Sequence, residues 1–179
     1  MLTINVKMDE LFDDDKQEFI PAVDIEIILE HSLISISKWE AIYKKPFLSA
    51  VDKTDEETTM YIQCMTINKK VESYVYNLIS HEDLVKISDY IADSMTATTI
   101  SNTDNKPNRE IITSELVYYW MVAYNIPFEC EKWHFNRLMT LINICSIKNE
   151  PPKKRSAKDI AASNSALNAK RRAEMASKG

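Results

Sequence analysis

The side chains of this chain best suited to bind a metal or attack a substrate are His31, His81 and His134 together with Cys64, Cys130 and Cys145. Their spacing argues against both uses. No CxxC, CxxH or HExxH pattern occurs, and an odd number of widely separated cysteines fits neither a disulfide framework nor a structural zinc site, so the thiols are expected to be free and buried. Cys130 and His134 are the one pair at i,i+4, the separation at which a helix turns two side chains to one face and an imidazole can deprotonate a thiol. Acyl chemistry also needs an orienting third group and oxyanion donors, which this pair lacks. His134, between Trp133 and Phe135, reads as a packing or hydrogen-bonding histidine. Glu129 and Glu131 suit the first turn of a helix, where free amides and the dipole favour carboxylates.

The glycine content removes further classes. Gly179 is the only glycine, whereas phosphate-cradling loops, dinucleotide fingerprints and nucleophile elbows need glycines for tight turns and close backbone approach. The chain is therefore expected to be no enzyme and to use neither metal nor cofactor. So few glycines also predict few positions of positive φ and helices joined by Asn, Asp, Ser and Pro turns.

Residues 1–34 predict a small antiparallel strand unit. Residues 2–7 alternate as LTINVK, and the strand over 23–30 alternates as VDIEI before the apolar run Ile27–Leu29, with a turn at 13–15 and Pro21 limiting the second strand. Such a unit cannot stand alone and must pack on helices or on a partner. Residues 35–150 predict a helical core domain. A helix capped by Ser35 or Ser37 carries Trp39, Ile42 and Tyr43 and ends at Pro46. Thr54 with Glu57 has capping-box spacing and opens a helix over 55–67. Shorter helices are expected over 71–79 and over 82–92, the latter capped by Ser80. Polar residues 93–109 read as a loop. Thr113 or Ser114 starts the apolar helix ELVYYWMVAYN, and residues 129–148 predict the longest helix, with Trp133, Leu138, Leu141, Ile142 and Cys145 at core spacing. The aromatic group Tyr118, Tyr119, Trp120, Tyr124, Trp133 and Phe135 is likewise expected to be core. The predicted class is mainly α, in α+β form: a compact helical domain with the strand unit before it and a basic helix or tail after it.

That tail, residues 151–179, is chemically distinct. It holds eight Lys or Arg against Asp159 and Glu174, net +6, while the rest holds 14 basic and 25 acidic residues, net −11. Rich in Ala, with Ile160, Leu167 and Met175 as its larger apolar residues, it is expected to form a helix from a Ser156 cap and to be mobile or ordered by a partner. Lys153, Lys154, Arg155, Leu167, Lys170, Arg171 and Arg172 are the candidate partner-binding residues, a basic cluster beside an apolar anchor aimed at an acidic surface. Nucleic-acid readout is not favoured, because no aromatic residues interleave with this charge. No apolar run of membrane-spanning length and no secretory signal pattern occur, which suggests a cytosolic protein.

Three stretches carry a family resemblance: EHSLISISKWEAIYKKPFLS at 30–49, EIITSELVYYWMVAYNIPFECEKWHFNRLMTLINICSIKN at 110–149 and SNSALNAKRRAEMASKG at 163–179. Together they resemble proteins encoded in the tail-gene region of long-tailed bacteriophages, the tail assembly chaperone group. The resemblance implies a non-enzymatic protein of the host cytoplasm that holds the helical, aggregation-prone tape-measure protein, or another tail protein, during tail morphogenesis, with homo-oligomerisation left open. The alternatives are a neck, tail or baseplate component retained in the virion and, on the tail's charge alone, a nucleic-acid-binding regulator.

Overall fold

Alternation at the start of the chain does produce an antiparallel ribbon. In the computed structural model, which describes residues 1–13, 17–20, 22–49, 53–68, 71–99, 111–149 and 157–176, β1 (Leu2–Met8) pairs with β4 (Val23–Leu29) from Leu2↔Leu29 to Met8↔Val23. The same register continues into a short outer pair, β2 (Leu11–Asp13) with β3 (Glu18–Ile20), which the sequence reading did not anticipate. The turn expected at 13–15 is displaced: Asp13 belongs to β2, and Asp14 and Asp15 lie outside the described residues. Period-two geometry sends Ile4, Val6, Val23, Ile27 and Leu29 inward and leaves Thr3, Asn5, Lys7, Asp24 and Glu26 in solvent. The free edge of β4 is covered by the chain after the second helix, where Glu30 N donates to Met65 O and Ile67 N to Ile28 O, both at 2.9 Å.

The ribbon packs on helices. α1 (Leu33–Tyr43) begins at a Ser32 cap whose hydroxyl accepts from Ser35 N while Ser35 Oγ accepts from Ser32 N. Neither Ser35 nor Ser37 is the cap; Ser35 is the third-position half of a capping box, because the inward stripe Leu33, Ile36, Trp39 already starts at Leu33. α1 ends with Lys44 in the left-handed region at φ 56°. α2 (Asp55–Met65) carries the predicted Thr54–Glu57 box, closed in both directions, and stops two residues before the predicted end. Residues 71–79 form a 3-10 turn, Ser73–Leu78, in place of an α-helix; its start has no side-chain cap and its short SYVYNL sequence is β-branched and aromatic. α3 (His81–Ala92) is capped by Ser80 and α4 (Ser114–Ala123) by Thr113.

The largest departure concerns residues 129–148, which are not one helix. A 3-10 turn, Phe128–Lys132, follows Pro127, Trp133 is extended at φ −70°, ψ 161°, and His134 forms a β-bridge with Ser32 before α5 (Phe135–Asn149) begins. Tertiary hydrogen bonding overrides the local pattern, since Phe135 N donates to His31 O at 2.7 Å and draws the chain across the β4–α1 junction.

The chain divides into two units, Met1–Cys145 and Ser146–Gly179. In the first, strand and helix residues share one core around Trp39, Ile27, Leu33, Met65, Met121 and Leu138. Trp39 is fully buried there, whereas Trp120 and Trp133 are half-buried against its margin. The second unit holds α6 (Ala157–Ala176), at 20 residues longer than the 15 of α5. Among the described residues four take positive φ, Gln17, Lys44, Met95 and Asn125, and none of them is glycine.

Candidate partner-binding surface

The buried histidines are engaged in holding the core together. His31 and His134, 3% and 6% exposed, stand edge to face with ring centroids 5.1 Å apart. Tyr61 Oη makes a short hydrogen bond with His31 Nδ1, and Ser35 Oγ donates to Ser32 O at 2.7 Å. Burial, reinforced by His134, pushes the His31 pKa down to about 3. His134 Nε2 donates to Tyr90 O at 2.9 Å, and its buried Nδ1 has no hydrogen-bond partner among the described residues. The structure separates the pair that spacing had joined: Cys130 sits in the 3-10 turn and His134 in the bridge beyond it, so they do not share a helix face. Burial and then Glu129 raise the Cys130 thiol, the opposite of what a nucleophile needs. Among the described residues no three His, Cys, Asp or Glu side chains gather to hold a metal, and no helix is long and apolar enough to cross a membrane.

α4 has a different character. Its sequence SELVYYWMVA is apolar nearly all round, yet only Val117, Met121 and Ser114 are buried. Glu40, itself 8% exposed, fixes the start of the helix: one carboxylate oxygen accepts Ser114 N and the other Phe47 N, both at 2.8 Å. At the far end Ile126 N donates to Met121 O, and Asn125 turns the chain at φ 53°. The outward face carries Tyr119 and Val122, 65% and 60% exposed, one turn apart. Phe128, 56% exposed, lies against the Tyr118 ring at 6.4 Å, and Tyr118 Oη donates to Glu131 at 2.9 Å. Glu115, Glu129 and Glu131 supply carboxylates on the same two elements. The outcome is an apolar surface with acidic surroundings, held on a helix pinned at both ends. The spacing of Tyr118 and Tyr119 predicts both in the core, but both sides of one short helix cannot be buried when the stripe through Val117 and Met121 already is.

Of the residues singled out in the tail, Leu167, Lys170, Arg171 and Arg172 lie on α6 and are exposed, Leu167 at 50%. Helical spacing places Leu167, Lys170 and Arg171 on one side and turns Arg172 toward Asn168 and Asn164. Lys153, Lys154 and Arg155, the Ser156 cap and residues 100–109 of the expected loop lie outside the described residues. No protein-family model, curated protein or solved structure matches the chain.

Proposed function

We propose that this chain is a non-enzymatic binding protein, a tail assembly chaperone that holds the tape-measure protein during phage tail morphogenesis. The observation that carries the reading is the outward face of α4: Tyr119 and Val122 stand in solvent on a rigidly anchored helix, with Phe128 exposed on the turn that follows. Large exposed apolar side chains on an ordered element mark surfaces that meet another macromolecule. An apolar face of this size makes a contact of modest strength, which suits a chaperone that must repeat the contact along a long helical client and then leave. The resemblance of residues 30–49, 110–149 and 163–179 to the tail assembly chaperone group supplies the class of client. α6 is exposed over residues 161–175 and offers a second, basic surface for the same client.

The test is to replace the outward face with charge. Tyr119→Glu with Val122→Glu touches no buried residue and should leave the melting temperature within a few degrees of the parent, while removing co-purification with the tape-measure protein from cells assembling tails. Undiminished capture would reject α4 as the client surface.

A further inference from the structure

A second feature lies away from α4. A cavity of about 360 Å³ opens between the first turns of α1 and the end of α2, lined by Ile34, Cys64, Met65 and Ile67 and by two lysines, Lys38 and Lys132. Its lining is mostly apolar, and apart from the two lysines its hydroxyl and carboxylate groups already have hydrogen-bond partners. Ser35 Oγ is used by both the N–H and the carbonyl of Ser32. Thr66 Oγ1 donates to Ile62 O and accepts from Tyr76 Oη, while Glu30 accepts from Tyr90 Oη at 2.7 Å and pairs with the Met1 amino group at 3.2 Å. A sugar or nucleotide would therefore find few free partners, whereas an apolar body loses nothing on entry. The positive charge in the lining is the second observation. Outside residues 151–179 the chain is acidic, net −11, yet neither Lys38 nor Lys132 makes an ion pair among the described residues. Lys38 is one helical turn from Ile34 on the same face, and it is close enough to Cys64 to oppose the upward shift that burial imposes on that thiol.

We infer that this cavity is a binding site for a small amphiphilic anion, a compact aromatic or branched apolar body bearing one carboxylate, with the body between Ile34, Met65 and Ile67 and the carboxylate between Lys38 and Lys132. The inference is independent of the chaperone reading, which uses a different face.

Titrating the full-length chain by calorimetry with three probes of one apolar body separates the contributions: indole-3-propionate, indole-3-propanol and the corresponding propylamine. The acid should bind at least about tenfold more tightly than the amine, the equivalent of about 1.4 kcal/mol, with the alcohol between them. Lys38→Glu with Lys132→Glu should invert that order, and Ile34→Trp, which fills the cavity, should abolish binding of all three. In the parent protein, indole-3-propionate should also slow alkylation of Cys64 by iodoacetamide while leaving Cys145 unaffected, a readout that requires no variant to fold. Equal affinity for acid and amine, retention of binding in Ile34→Trp, or an unchanged Cys64 rate at saturating indole-3-propionate would each overturn the assignment.

Discussion

Glu40 illustrates how much a single buried carboxylate organises. It accepts two main-chain N–H groups from segments 74 and seven residues away, one of them the start of α4. Glu40→Ala strands both donors in the core and should lower stability by about 2–4 kcal/mol in urea unfolding, with Glu40→Gln losing less because one acceptor remains. A loss below about 1 kcal/mol would mean that water replaces the carboxylate. His31 gives a pH dependence. Its folded pKa, about 3, lies below the ordinary value of 6.5, so the unfolded chain binds the extra proton first. The contribution is complete above pH 6.5 and is lost as pH falls toward 3, with a slope of up to about 1.4 kcal/mol per pH unit. Unfolding midpoints measured from pH 8 to 4 should fall less steeply for His31→Gln than for the parent, and parallel profiles would contradict this account. The tryptophans divide by burial: Trp39→Ala should cost about 3–5 kcal/mol as a core deletion. Trp133, half-buried with Arg137 stacked 4.4 Å from its ring, should cost about half as much. Equal losses in calorimetric melts would place Trp133 in the core after all.

At the scale of elements, what could be read in advance was whatever local chemistry decides. The alternating strands, the Thr54–Glu57 box, the Ser80 cap and the Thr113 cap all formed where their residues predict, because each is settled within a few residues. Misplacements arise where distant contacts decide. The single long helix expected over 129–148 is interrupted because His31 and Ser32, more than 100 residues earlier, take Phe135 N and His134 as partners. No spacing rule carries that information, and with the helix goes the Cys130–His134 pair. The candidate site was legible in part: the apolar helix at Thr113 was evident, but which of its sides faces water depends on Glu40 and the core. α6 belongs to this scale too. Every described side chain from 161 to 175 is exposed, so ordering it gains little apolar burial against about 1–2 kcal/mol of backbone entropy per residue. Deleting residues 153–179 should leave the urea midpoint of the first unit nearly unchanged and weaken the complex with the tape-measure protein in a salt-dependent way. Unfolding or aggregation of the truncated chain would show that the tail contributes to the fold.

For the whole molecule, the proposal is a division of labour. A core closed by capping boxes and a buried histidine–tyrosine network keeps the first unit rigid, and the surfaces offered to others are an acid-flanked apolar helix face and a separate basic helix. On this proposal the protein acts by contact, and its role is defined by when it is bound. The measurement that tests this most directly is quantitative mass spectrometry of the chain in cells assembling tails and in purified virions. The chaperone account predicts a complex with the tape-measure protein in the cells and no stoichiometric copy in the particle. A fixed copy number in mature virions would contradict it and assign the chain to the neck, tail or baseplate.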